Sequence, residues 1–233
     1  MPQEMSISGT NDFALHLLSL ETVFKPGARI LDIGTGKGAL SEKLKHAGLT
    51  VSACDLNPDP IDVEGVEYRQ CDESGTLPFS DESFDMAVAV EVVEHIDGHD
   101  LFFSEVSRIL KPGGIFLFTT PNILSMKSRI KFLMTGCYYS FGTLTPFTRD
   151  PASQHISPYN LNRYAWAVSM HGMTMTRVST DKSQRTSLLL SILFPFAWIS
   201  GFLNPQKGEL AYNQNSATCL LGRTLAMTAC KSK

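Results

Sequence analysis

Residues 30–38 read Ile-Leu-Asp-Ile-Gly-Thr-Gly-Lys-Gly, an apolar strand run that stops at a glycine turn, and their reading decides the fold. Gly34, Gly36 and Gly38 carry no Cβ, so the chain can turn sharply after the strand and lie close to a ligand. The helix that opens at Ala39 presents unpaired N–H groups to that ligand. Strand, glycine loop and helix in this order form the first unit of a parallel α/β sheet that takes a nucleotide-like cofactor. The loop alone leaves the cofactor open. Gly34, Gly36 and Ala39 also satisfy the Gly-x-Gly-x-x-Gly/Ala fingerprint of dinucleotide sites, and Asp55 follows about 20 residues on, where a ribose-binding acid would sit.

Working outward, the apolar run Thr50 to Cys54 ends at Asp55, whose carboxylate can accept both ribose hydroxyls of an adenosine. The run Val66 to Cys71 ends at Asp72, where an adenine amino group would need an acceptor. Leu77-Pro-Phe-Ser-Asp-Glu-Ser-Phe-Asp85 leads into the strand Met86 to Val90. Leu110-Lys-Pro-Gly-Gly114 turns a helix into the strand Ile115 to Thr120. This ordered set, spanning residues 29–120, resembles the class I S-adenosylmethionine-dependent methyltransferases. The resemblance implies an α/β, Rossmann-like, seven-stranded, mostly parallel sheet, with an insert after strand 5 and an apolar insert before strand 7. It also implies cofactor contacts from Asp32, Gly34, Gly36, Gly38, Asp55, Leu56, Asp72, Glu73 and Glu91. The rival on the same glycine turn is a nicotinamide oxidoreductase, which would bind NAD(H) and ignore S-adenosylhomocysteine.

Just after the fourth strand stands Glu91-Val-Val-Glu-His95. If the segment is helical, positions i, i+3 and i+4 share one face, and two carboxylates with an imidazole suit Mg²⁺, Mn²⁺ or Zn²⁺. The plainer reading places both glutamates at a helix N-terminus for its dipole, with His95 half exposed. Thr120-Pro121-Asn122 closes the fifth strand, and His155 follows in a loop ahead of a helix over Pro158 to His171, placed to reach across the pocket. Glu-x-x-Glu-His, Thr-Pro-Asn and a later His are similar to the ubiquinone-biosynthesis O-methyltransferases and the small-RNA 2′-O-methyltransferases. That likeness implies that Glu91, Glu94, His95 and His155 hold a divalent metal that chelates two adjacent acceptor hydroxyls. Without a metal, His95 or His155 alone is left to remove the acceptor proton, and Glu94 stands with them as a candidate catalytic residue.

At 233 residues and 43% apolar content, the chain supports one domain with a full core. Within it we expect an N-terminal helix over residues 10–24, capped by Thr10 or Asn11 and packed over the cofactor or substrate mouth. A cofactor core over 28–121, an acceptor insert over 122–157 and an apolar membrane or lid segment over 187–203 follow. The five cysteines include no Cys-x-x-Cys pair and read as reduced thiols of a cytoplasmic protein. Residues 1–25 show no basic start or cleavage pattern of a secretory signal. Charge is divided: residues 1–106 hold 6 Lys/Arg against 20 Asp/Glu, and residues 107–233 hold 14 against 3. The two halves therefore face different surroundings.

The basic half also contains Ser187 to Leu203, and no formal charge falls between Arg185 and Lys207. A transmembrane helix needs about 20 apolar residues; this run is shorter and has Pro195 at its centre, and residues 222–231 read as a last strand of the same sheet. A buried core helix and a Pro-broken helix pair lying on a membrane surface are the remaining readings. Ile123 to Met134 alternates apolar and basic residues at helical spacing. The aromatics beyond it, with Lys127, Arg129 and Lys131, suit stacked RNA, but the acidic total and the uncharged run argue against nucleic acid. The expected protein is a cytoplasmic enzyme, peripheral on the inner membrane face, that methylates a hydroxyl of a small-molecule or lipid-linked acceptor such as a quinone-precursor phenol. A sugar hydroxyl of a polysaccharide or lipid-linked glycan is the alternative acceptor. A non-catalytic membrane-associated cofactor-binding protein is the alternative of another class.

Overall fold

Apolar strand runs alternate with amphipathic helices, and the computed structural model shows the layers they build over residues 9–59, 61–72, 75–146, 154–203 and 212–233. The strands are β1 (Arg29–Ile33), β2 (Thr50–Asp55), β3 (Glu67–Gln70), β4 (Phe84–Val90), β5 (Leu110–Pro121), β6 (Met173–Thr180) and β7 (Thr224–Lys231). They form one sheet in the order β3-β2-β1-β4-β5-β7-β6. β1 to β5 pair in parallel, and β7 runs antiparallel to both β5 and β6. This is the expected seven-stranded, mostly parallel sheet.

Period-two alternation sends successive residues of the central strands to opposite faces, and both faces are apolar because both are covered. Leu31, Ala87, Ala89, Phe116 and Phe118 pack on one side with Phe103 of α3 (His99–Ile109) and Tyr164 of α5 (Leu161–Met170). Ile30, Met86, Val88 and Leu117 pack on the other with Leu17 and Leu18 of α1 (Thr10–Ser19) and Leu40 and Leu44 of α2 (Ala39–His46).

Two expectations are corrected here. α1 ends at Ser19 rather than at Phe24, and its cap is Gly9 at φ 86°, with Thr10 and Asn11 buried inside the first turn. The helix lies on the sheet face beside α2 rather than over the mouth; only its first turn approaches the carboxyl edge, where Thr10 Oγ1 is 3.5 Å from the Arg223 guanidinium. Leu110 to Gly114 makes the expected turn from α3 into the strand, as a wide bulge inside β5: Leu110 pairs with Phe84 and Ile115 with Met86, and Gly113 between them adopts φ 78°.

The apolar run is not a core helix, and it is the expected pair of short helices, parted by a 3-10 turn that ends two residues before Pro195. α6 (Arg185–Leu189), a 3-10 turn (Leu190–Leu193) and α7 (Phe194–Leu203) form a helical stretch of 19 residues with mean hydropathy 1.8. Pro195 sits second in α7, where a helix tolerates a missing N–H. Leu189, Ile192 and Phe202 are 82%, 78% and 85% exposed, so this stretch contributes little to the core. By length and composition it could cross a membrane, yet β6 before it and β7 after it pair with each other in one sheet.

Beyond it, α8 (Ala217–Leu221) leads through Gly222 into β7. A Cβ on Gly222 would fall on Thr180 Oγ1 and lie 2.6 Å from the Thr218 carbonyl, and the latter is backbone that cannot swing away. Overpacking of this kind typically costs about 1–3 kcal/mol. Gly222→Ala is therefore expected to lower the melting temperature by about 3–10 °C, as a calorimetric scan would read; an unchanged melt would mean that the corner relaxes freely.

Candidate active site

Parallel strands deliver their following loops to one edge of the sheet, and the strand order reverses between β1 and β4, which opens a crevice there. The loop after β1 turns through Gly34, Gly36 and Gly38 at φ 69°, 57° and 81°, values that a side chain would strain. A Cβ on Gly34 would lie 2.5 Å from Val92 Cγ2, so this loop packs directly on the turn after β4. Gly34 and Thr35 donate their N–H groups to the Cys54 carbonyl at 2.8 and 3.2 Å.

Asp32 braces the loop from beneath: its Oδ2 accepts from Thr35 Oγ1 at 2.8 Å and from Ser41 Oγ at 2.7 Å. Burial pushes the Asp32 carboxyl up to about 6, against the pull of the two hydroxyls and with help from the nearby Asp55 charge. Asp55 places its carboxylate on the upper side of the loop, Oδ2 accepting from the Gly36 N–H at 2.8 Å and Oδ1 from the Asn57 N–H at 3.1 Å. Leu56 follows, exposed, its carbonyl accepting from Gln70 Nε2 at 3.1 Å. Asp72 stands just past β3 at the same edge. Glu73 lies outside the described residues.

The Glu91–His95 segment is not the helix that its spacing invites. Glu91 adopts φ 55° and donates its N–H to Thr119 Oγ1 on β5 at 3.0 Å. A 3-10 turn then covers only Val93–His95. Glu91 thus lies outside the helical frame that would have stacked it on Glu94, and it does not join the ligating group. Glu94, His95 and His155 do: one donor atom from each lies within 4.8 Å of the others.

His155 arrives by a backbone clamp. The Glu94 carbonyl accepts the N–H groups of Ile156 at 2.9 Å and Ser157 at 3.1 Å, and Ser157 Oγ donates to the Ile96 carbonyl at 2.6 Å. The two imidazoles consequently meet edge to face, with ring centroids 4.8 Å apart. His95 Nδ1 lies 2.9 Å from the Gln154 carbonyl. A carbonyl only accepts, so Nδ1 carries the hydrogen and Nε2 is the open position.

Glu94 is fully buried, and neither carboxylate oxygen makes a hydrogen bond of good geometry, the nearby Thr120 hydroxyl giving the charge only slight support. Burial pushes its carboxyl up to about 8, and the neighbouring Glu91 charge adds to the effect. Burial, then the His95 ring, lowers the His155 pKa. Thr120 and Tyr164 present further buried hydroxyls that make no hydrogen bond of good geometry, and burial holds the Tyr164 phenol well above its ordinary range. A buried carboxyl with two poorly satisfied oxygens is costly. Beside two imidazoles it forms a donor set that suits a hard to borderline divalent cation. The sequence reading singled out neither Ser41, Thr119, Gln154 nor Tyr164, which come to the site on α2, β5, the loop before α5 and α5.

Residues 31–118 match the family described as methyltransferase domain. The chain is 31% identical over 164 residues to the ubiquinone biosynthesis O-methyltransferase of Pseudomonas fluorescens, an alignment covering 66% of this chain and 68% of that protein. It is 36% identical over 108 residues to the mitochondrial ubiquinone biosynthesis O-methyltransferase of Rattus norvegicus, covering 41% of this chain but only 31% of that protein. Among solved structures, phosphoethanolamine N-methyltransferase 2 of Haemonchus contortus shares the fold, with a TM-score of 0.62 at 22% identity over 99% of this chain and 54% of that one. The chain belongs to the class I S-adenosylmethionine-dependent methyltransferases.

Proposed function

We propose that this methyltransferase moves a methyl group from S-adenosylmethionine to a hydroxyl of an amphipathic acceptor at the cytoplasmic face of a membrane, with a divalent cation held by Glu94, His95 and His155. The observation that carries this reading is the fully buried Glu94, with neither oxygen in a hydrogen bond of good geometry, beside two imidazoles at the cofactor edge. The cofactor brings an activated methyl carbon, so the chain has to align the acceptor oxygen and remove its proton. In this reading the glycine loop takes the methionine end of the cofactor, Asp55 the ribose hydroxyls and Asp72 the adenine amino group.

A bound Mg²⁺, Mn²⁺ or Zn²⁺ would lower the hydroxyl pKa and fix its direction. With Nδ1–H bonded to the Gln154 carbonyl, His95 has only Nε2 to offer: with a cation held there, the acidified hydroxyl would lose its proton to water, and without one Nε2 takes that proton itself; as the freed oxygen bonds the methyl carbon, the carbon–sulfur bond breaks and S-adenosylhomocysteine leaves. The buried Thr120 and Tyr164 hydroxyls limit how far the acceptor can enter. An amphipathic acceptor accords with the exposed Leu189, Ile192, Phe196 and Phe202 of the apolar helical stretch and with the pathway named for the two relatives. Titration with Mn²⁺, followed by its electron spin resonance, tests the site without a known acceptor. One saturable site in the wild-type protein that is lost in Glu94→Gln is expected; a site of equal affinity in both proteins would remove the metal role.

A further inference from the structure

A cavity of about 530 Å³ opens between the end of β5 and the start of β7, where Pro121 pairs with Thr224. Its charged lining is Lys127 of α4 (Met126–Thr135), Lys182, Arg185 and Arg223, and no acidic residue lines it. Arg223 is tied to Asp181, whose other oxygen accepts the Thr224 N–H at 3.2 Å. Lys127 stands 3.3 Å over the Tyr139 ring. Among the described residues Lys127, Lys182 and Arg185 form no ion pair. Like charges gathered around one hollow repel unless an anion enters.

We propose that this cavity binds the phosphate group of an amphipathic ligand. Two guanidinium and two ammonium groups offer more donors than the two oxygens of a carboxylate can use, whereas a phosphate monoester presents three terminal oxygens and a phosphodiester two terminal and two ester oxygens. The hydrocarbon part has its place beside it: Arg185 opens α6, and Leu188 and Leu189 follow on the same helix, 56% and 82% exposed. The cavity is two strands from β4, after which Glu94 stands, or about 10 Å at ordinary strand spacing. This relation rests on the function proposed above. It describes either an acceptor whose phosphate-linked tail lies beside its reacting hydroxyl or a lipid headgroup that seats the enzyme.

The test is calorimetric titration of the full chain, saturated with S-adenosylhomocysteine, with monomeric dodecyl phosphate. Inorganic phosphate, dodecyl maltoside, and vesicles of phosphatidylglycerol or phosphatidylcholine are the further arms. Saturable binding of dodecyl phosphate, weakened at least tenfold in Lys182→Glu/Arg185→Glu, is expected, with S-adenosylhomocysteine affinity unchanged. Both side chains are exposed, so the fold is spared. Binding of the monomer points to a phosphate-bearing acceptor, and binding of phosphatidylglycerol vesicles alone, lost in the double variant, to a membrane headgroup; either supports the proposal. Inorganic phosphate bound as tightly as dodecyl phosphate overturns its amphipathic part. Absence of binding in every arm, or binding that the double variant retains, overturns it altogether. Cofactor affinity and the Mn²⁺ titration report on the methyl-transfer site separately, so failure of one reading is not mistaken for failure of the other.

Discussion

Glutamine at position 94 is expected to lower the rate of methyl transfer by about two to four orders of magnitude while S-adenosylhomocysteine affinity stays within about twofold. The side chain is fully buried and its oxygens make no hydrogen bond of good geometry, so an amide of the same shape fits the space without a new clash. Burial already favours the uncharged carboxyl below about pH 8, and folding therefore gains nothing from the charge that glutamine removes. What glutamine lacks is the anionic oxygen that would hold a cation or, without one, complement a proton on His95. The glycine loop is held by Cys54, Asp32 and Asp55, none of which touches the replaced group, so cofactor binding should survive. Single-turnover kinetics beside a cofactor titration separate the two quantities; wild-type turnover in the variant would leave the two imidazoles as the groups responsible.

Asp55→Ala should give the opposite pattern, an S-adenosylhomocysteine affinity at least about 100-fold weaker. Each hydrogen bond to a charged group is worth about 1.5–3 kcal/mol, and two lost to a ribose at the lower figure make about 3 kcal/mol, or roughly a hundredfold. The same change frees the Gly36 N–H from Oδ2, which loosens the loop that approaches the cofactor. Calorimetry on the variant reads the loss, and a melt within a few degrees of wild type shows that the sheet is intact. Affinity within a few-fold of wild type would place the ribose elsewhere. NAD(H) bound more tightly than S-adenosylhomocysteine would revive the oxidoreductase reading of the same turn.

The glycine loop and the strands around it were legible because their signals are local. An apolar run, three glycines and an acid at the next strand end each act within a few residues. The chemistry of Glu94, His95 and His155 was legible too, but their geometry was not. Helical spacing placed Glu91 with Glu94, whereas the left-handed backbone at Glu91 and its N–H bond to Thr119 send the chain another way. His155 reaches His95 through backbone bonds to the Glu94 carbonyl, and backbone bonds leave little trace in residue identity. Thr10 and Asn11 carry capping chemistry, yet Gly9 takes the cap because the chain enters α1 at positive φ. Composition marked Ser187 to Leu203 as apolar but could not say whether it was covered, since an exposed helix and a core helix of this length read alike. The basic cavity is assembled from positions 127, 182, 185 and 223, which the pairing of β7 with both β5 and β6 brings together.

The most direct test is transfer of labelled methyl from S-adenosylmethionine into an extract of the source cell, partitioned between organic and aqueous phases, with and without a chelator. The account requires label in the organic phase that the chelator abolishes and that added Mg²⁺ or Mn²⁺ restores. Label confined to the aqueous phase, or transfer indifferent to the chelator, would contradict a metal-assisted methylation of an amphipathic hydroxyl.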